Sequence, residues 1–354
     1  MRITGFVFVA LALAGACDTV DAGPVRIYWS ETASWSAPGT GGTVRRANGD
    51  GTGATTIATG YSRVDDVEVD ATNGRVYWNN WASGAPSASE GIWTSALDGS
   101  GTMQLTGVAQ SNSSSGFASG MHGIALDPAS GVIYFTRGVS YADSNGGPEV
   151  SKVNTNGTGY TRLNTSNTSW FTSGIAVDST NNYVYFGSPG VLNTTTGGAV
   201  NRVNTDGTGQ VDNLVPHTDG VGRSLALDAN AGLLFFSSWN IGTPSTGGGI
   251  FVLDLVGGGV NQILNDPTTG IPDIELDVLS QRIYWTDFTR GEIRSANYSG
   301  GNLMTVLSGL NNPFGLALEF QGAEVPEPSS LALLGMGVAG LGGYRLRRKR
   351  HQAV

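Results

Sequence analysis

Four carboxylates have the spacing to do chemistry. Asp66 and Glu68 lie two residues apart, as do Asp273 and Glu275. In a β-strand that spacing puts both members of a pair on one face. Gathered around one opening, four such acids would offer the hard oxygen donors that Ca²⁺ takes, and a bound divalent cation could activate water for hydrolysis. The plainer reading is that water solvates these acids, or that Arg63 and Arg223 pair with them.

Other chemistries are absent from the sequence. It has no His-Glu-x-x-His, no phosphate loop ending in Gly-Lys-Ser/Thr and no Gly-x-Ser-x-Gly elbow. Glycine runs such as Gly247-Gly248-Gly249 lack the lysine and following helix that phosphate binding needs. Three histidines and a single cysteine among 354 residues leave no multi-histidine metal centre and no disulfide framework. With a net charge of −9, the chain is too acidic for nucleic acid to be its partner. No catalytic residue is assigned.

The elements that must position these acids are repeats. Aromatic pairs recur at Tyr28-Trp29, Tyr77-Trp78, Tyr134-Phe135, Tyr185-Phe186, Phe235-Phe236 and Tyr284-Trp285, with spacings of 49, 57, 51, 50 and 49 residues. Seven residues before each later pair stands Asp70, Asp127, Asp178, Asp228 or Asp277, closing a short alternating run that reads as a strand. Downstream come a third strand, a glycine turn such as Asp98-Gly99 or Asp206-Gly207, and a fourth short run. Six units of four antiparallel strands predict an all-β, six-bladed β-propeller. Gly315-Leu316-Ala317-Leu318-Glu319 repeats the first-strand pattern with no aromatic pair after it, while the N-terminal repeat lacks such a strand. The C-terminal strand is therefore expected to complete the first blade and remove the open edges.

Arg282-Ile283-Tyr284-Trp285-Thr286-Asp287, followed by Ile293-Arg294-Ser295-Ala296-Asn297, resembles the YWTD repeat of low-density-lipoprotein-receptor-type propellers. The resemblance spans residues 23–322, and only the sixth repeat keeps the full tetrad. It implies a binding propeller. Within that frame, inner strands carry small residues, except for Asp66/Glu68 and Asp273/Glu275 in the two blades that flank the first. His122 and Arg223 precede the small residue in two others. Six-bladed lactonase-type enzymes hold a divalent cation in a comparable place, which makes a cation-dependent hydrolase or lactonase the alternative to a non-enzymatic binder. Apart from that Ca²⁺ no cofactor is expected.

In five repeats the segment between second and third strands is longer than in the sixth, and these segments should share one face. They and the inter-blade connections carry Trp35, Tyr141, Trp170 and Phe171 among short polar residues, a composition suited to glycan or protein contact. Trp81, Trp239 and Phe288 each follow their aromatic pair by three residues, which points to repeated packing.

Both ends read as addresses. Residues 1–22 have a basic start, an apolar centre and Val20-Asp21-Ala22, the pattern of a cleaved signal peptide. A lipoprotein reading through Cys17 is the rival. In residues 323–354, Val325-Pro326-Glu327-Pro328 precedes an apolar stretch, 331–344, and then Arg345, Arg347, Arg348, Lys349 and Arg350. This resembles the PEP-CTERM sorting signal of Gram-negative envelope proteins, which implies an exosortase as processing partner. It also implies extracellular polysaccharide or an envelope protein as binding partner. Fourteen helical residues rise about 21 Å, short of a hydrocarbon core about 30 Å thick, as a transient inner-membrane anchor would; an ordinary tail anchor is the competing reading. Residues 23–324 carry 13 basic and 25 acidic groups, so the body is more acidic than the whole chain. The expected product is an exported protein of the cell envelope, cell surface or exterior.

Overall fold

Alternate residues of a strand face opposite sides of its sheet, so strands apolar on both faces must be covered on both. Radial blades achieve this. The computed structural model describes residues 23–32, 41–81, 90–107, 120–137, 149–163, 172–188, 199–216, 221–238, 248–266 and 268–320. Within them lie six four-stranded antiparallel sheets and no helix.

From the axis outward, the second blade is Val67–Asp70, Arg75–Asn80, Gly91–Ala96 and Met103–Gly107. The third is Met121–Asp127, Val132–Arg137, Glu149–Asn154 and Thr161–Arg162. The fourth is Ile175–Asp178, Tyr183–Ser188, Ala199–Asn204 and Val211–Pro216. The fifth is Val221–Asp228, Leu233–Ser238, Gly248–Asp254 and Val260–Asp266. The sixth is Ile274–Asp277, Arg282–Asp287, Glu292–Asn297 and Met304–Leu307.

The first blade takes its inner strand, Pro313–Glu319, from the C-terminal part of the propeller and the other three, Arg26–Glu31, Gly42–Asn48 and Thr55–Tyr61, from the N-terminal part. Ile27 pairs with Leu318 and Tyr28 with Ala317, as the repeat pattern predicts. Glu319 stands where the other blades have their turn aspartate. Its carboxylate takes Arg26 at 2.9 Å and the Tyr28 hydroxyl at 2.7 Å.

The aromatic pairs hold neighbouring blades together. Tyr28 shares a core with Trp78, Tyr77 with Phe135, Tyr134 with Phe186, Tyr185 with Phe236, Phe235 with Trp285, and Tyr284 with Trp29. The first aromatic of each blade thus meets the second aromatic of the next, all around the ring.

In the first, third and sixth blades the residue after the pair reaches the neighbouring blade by hydrogen bonds. Ser30 Oγ accepts from Gly315 N and donates to Val64 O, each at 2.8 Å. Thr286 Oγ1 donates to Phe314 O at 2.6 Å. At Gly187 no side chain fits, because a Cβ would lie 1.8 Å from the Gly222 carbonyl oxygen. The turn aspartates cap the step from inner to second strand: Asp70 Oδ1 accepts from Asn73 N at 2.9 Å and Asp228 Oδ1 from Ala231 N at 3.0 Å.

Replacing the buried Trp285 by alanine should cost about 3–5 kcal/mol, read by denaturant unfolding. Gly187→Ala should also lower the unfolding midpoint, through the clash with Gly222. Val256→Ala, at a side chain 88% exposed, should change stability by no more than about 0.5 kcal/mol.

Candidate functional site

The inner strands run from one end of the axial channel, its mouth, to the turn aspartates at the other end, the base. Their register makes rings. Opposite the first aromatic of each blade lie Glu68, Ala125, Ala176, Ala226, Glu275 and Ala317. Two residues nearer the mouth come Asp66, Gly123, Gly174, Ser224, Asp273 and Gly315, and one residue beyond stand Asp65, His122, Ser173, Arg223, Pro272 and Phe314. Small residues are required where strands crowd the axis: a Cβ on Gly315 would lie 2.7 Å from Asp66 Cα.

At the mouth, buried Arg63 forms a two-pronged ion pair with Asp65, one contact being Nη2 to Oδ2 at 2.8 Å. His122 Nδ1 lies 3.0 Å from the same carboxylate. Burial opposes the charge on Asp65, but Arg63 and His122 hold its carboxyl below the usual range. Burial also pushes the His122 imidazole down and Arg223 down to about 10. The Arg63 guanidinium lies 4.9 Å from the Trp81 ring centre and 5.0 Å from that of Phe314, and Arg223 is 5.0 Å from Phe314 as well. Two cations on aromatic faces in a buried setting form a stiff, positively charged rim.

Deeper in, acids dominate. Asp66 accepts from Val67 N and, across to the third blade, from Ile124 N, both at 2.8 Å. Asp273 accepts from Ile274 N at 2.9 Å, from the Ser224 hydroxyl at 2.6 Å and, across to the first blade, from Leu316 N at 2.7 Å. Both aspartates therefore clamp adjacent inner strands. Asp66, Glu68 and Glu275 keep some exposed surface, but it faces a narrow enclosed space, so burial governs their protonation. Burial, reinforced by neighbouring acids, raises Asp66 and Glu275 well above the carboxylate range and Glu68 to about 8. Burial raises Asp273 to about 6, with hydrogen bonds from Ser224 and Leu316 opposing it. Burial and mutual repulsion thus favour the protonated forms of Asp66, Glu68 and Glu275, while Asp273 is the most readily ionised of the four.

A cavity of about 180 Å³ runs through this region, lined by Asp65, Asp66, Glu68, His122, Arg223 and Asp273 among others. Asp66 and Asp273 already accept backbone amides, and among the described residues no three His, Cys, Asp or Glu side chains converge to hold a metal ion.

The structure brings Asp66, Glu68, Asp273 and Glu275 to one channel, with His122 and Arg223 above them. Arg63 pairs with Asp65, and Arg223 interacts electrostatically with Asp65, Asp273 and Asp66. Sequence reasoning missed Asp65 and Phe314. Phe314 could have been found as the one aromatic in the ring that holds Asp65, His122 and Arg223. Trp81 and Phe288 have packing roles: their amides donate to Arg63 O at 2.8 Å and Gly270 O at 3.0 Å, and Phe288 meets Phe314 edge-on at 6.2 Å. Trp35, Tyr141, Trp170, Phe171 and Trp239 lie outside the described residues, as do the sorting motif Val325–Pro328, the basic tail 345–350 and the signal segment 1–22. The strand ends bounding 32–41, 81–90, 138–148, 189–198 and 239–247 all lie at the mouth end, whereas 288–291 suffices in the sixth blade.

Residues 324–349 match the PEP-CTERM protein-sorting motif. The motif marks the chain for export to the cell envelope or surface and for processing by an exosortase. Comparison with curated proteins finds no match. Among solved structures, a chain of the nidogen/laminin complex is similar with a TM-score of 0.63 at 14% identity, covering 83% of this chain and 98% of that one. TolB from Acinetobacter baumannii is similar with a TM-score of 0.60 at 16% identity, covering 82% of this chain and 66% of that one. At such identities the likeness is one of fold, the six-bladed propeller.

The raised carboxyls have a consequence for stability. The folded state holds protons that the unfolded chain releases, so this contribution is complete at low pH and is lost as pH rises through the folded values. For Glu68 that loss runs up through about 8. The depressed His122 acts oppositely, but only below its ordinary value of 6.5. Unfolding free energy should therefore fall as pH rises from about 6.5 to about 8 and level off above that, and Glu68→Gln should flatten that slope, measured by denaturant melts across the range.

Proposed function

We propose that this exported propeller is a non-enzymatic binding module that holds extracellular polysaccharide or an envelope protein on its mouth face. One observation carries the reading. A closed ring places the cationic, aromatic rim of Arg63, His122, Arg223 and Phe314 at the same end as the strand termini of all five longer segments. Trp35, Tyr141, Trp170 and Phe171 belong to those segments or to the inter-blade connections that join the same end. Aromatic faces suit sugar rings, and Arg and aromatic side chains dominate protein hot spots. That one of the similar folds was solved in a nidogen/laminin complex lends support to a protein partner.

The proposed life history has three segments. The signal peptide, residues 1–22, is removed on export. Residues 23–322 form the propeller. Residues 323–354 anchor the chain briefly in the inner membrane, with Pro326-Glu327-Pro328 outside the span and Arg345, Arg347, Arg348, Lys349 and Arg350 on the cytoplasmic side, until exosortase removes them. Intact mass of the envelope form should show a chain starting at Gly23 and ending near the Pro-Glu-Pro segment. A retained basic tail would contradict exosortase processing, and a lipid-modified Cys17 would establish the lipoprotein route.

Calorimetry with polysaccharide secreted by the same organism tests the binding face. Trp35→Ala and Trp170→Ala should each weaken binding about tenfold or more with unchanged thermal unfolding, and wild-type protein that binds no glycan but captures a defined envelope protein would select the protein partner. The alternative is a divalent-cation-dependent hydrolase using Asp66, Glu68, Asp273 and Glu275. Equilibrium dialysis should show no stoichiometric Ca²⁺. One tightly held ion, lost in Asp66→Asn plus Asp273→Asn, would favour the hydrolase.

A further inference from the structure

We infer that the base of the propeller, the face opposite the channel mouth, lies against the bilayer while residues 331–344 anchor the chain, so that the mouth points away from the membrane. The inference rests on the anchor reading above, and adds to it an orientation and a contact surface.

The strand that leaves the propeller sets the geometry. Pro313–Glu319 is an inner strand, and it runs from Phe314 at the mouth to Glu319 at the base. The N-terminal part enters at the same end: Val25 N donates to Glu319 O at 2.7 Å, and Arg26 pairs with the Glu319 carboxylate. Only ten residues, 321–330, separate Phe320 from the apolar stretch beginning at Leu331. Fully extended they reach about 35 Å. To put the mouth against the membrane, this tether would have to cross three strand spacings to the rim, about 14 Å, and then climb a strand of about 20 Å. That path takes nearly the whole tether. With the base down, the tether is slack.

The side chains of the base fit such a contact. Among the described residues, the large apolar side chains that are exposed gather in or directly beside the base turns. Leu279 and Val256 are each 88% exposed, and Met304, Met103 and Leu303 also point outward there. Asp50, Asp98 and Asp206 are exposed on turns at the same level. They would repel an anionic lipid surface, so the base suits a neutral, zwitterionic one. The base should therefore touch the bilayer lightly and only while the tether holds it there.

The chain from Gly23 to Val354, with a single environment-sensitive fluorophore at Leu279→Cys or at Asn311→Cys, tests this in phosphatidylcholine vesicles containing a headgroup-nitroxide lipid. Asn311 is exposed on the connection entering the first blade at the mouth. Quenching should be several-fold greater at position 279 than at 311, and Val256→Cys should repeat the result if Leu279→Cys folds poorly. Equal quenching, or stronger quenching at 311, would overturn the orientation. Failure of this chain to float with the vesicles would overturn the anchor reading itself, and the orientation with it.

Discussion

Two adjacent aromatic residues on the second strand of every blade are the contact on which the rest of the molecule depends. Neighbours in a strand must point to opposite faces, so each pair serves two interfaces, one with the preceding blade and one with the next. Tyr284 and Trp285 illustrate this: Tyr284 packs with Trp29 of the first blade and Trp285 with Phe235 of the fifth. A linear array of such units would leave one aromatic uncovered at each end. Closing the ring with Pro313–Glu319 covers both, which is why the two termini of the propeller must meet.

Closure also gives the molecule two unlike ends. Inner strands packed around an axis leave room for little beyond glycine, alanine and serine, and the exceptions carry the polarity. At the mouth, Arg63 and Arg223 are stabilised by Asp65 and by aromatic faces. Below them, Asp66 and Asp273 accept amides from the neighbouring blade, a structural duty that clamps adjacent inner strands. Burial then leaves the acid cluster partly protonated, consistent with a plug in the channel rather than a charged pore. The base is built from short turns, such as Asn48–Thr52, whose glycines seat against the preceding blade: a Cβ on Gly51 would lie 2.4 Å from Val306 O.

Much of this was legible in the sequence, for physical reasons. The aromatic pairs, the turn aspartates and the orphan strand at Gly315–Glu319 each obey a rule that repeats about every 50 residues, so each copy reinforces the others. The four channel acids were legible because they break that repetition. The mouth was not. Its ring holds Asp65, His122, Ser173, Arg223, Pro272 and Phe314, six different chemistries with no shared pattern. That Arg63 would pair with Asp65, in the connection before the inner strand Val67–Asp70, depends on a local turn that spacing does not reveal. The drift of the YWTD tetrad likewise became intelligible only from contacts. Ser30 and Thr286 supply the same bridging hydroxyl, while Gly187 lets backbone approach directly.

The sorting motif delivers the protein to the envelope or surface, and the fold presents one busy end and one plain end there. The account's central claim is that the mouth end does the binding. Hydroxyl-radical footprinting of the exported protein, with and without the organism's secreted polysaccharide or envelope fraction, tests it directly. Trp35, Tyr141 and Trp170 report on the mouth-end segments, while Met103, Tyr160 and Met304 are exposed reporters at the base. The account predicts protection of the first group and no change in the second. Protection of the base reporters with the mouth group unaffected would contradict it.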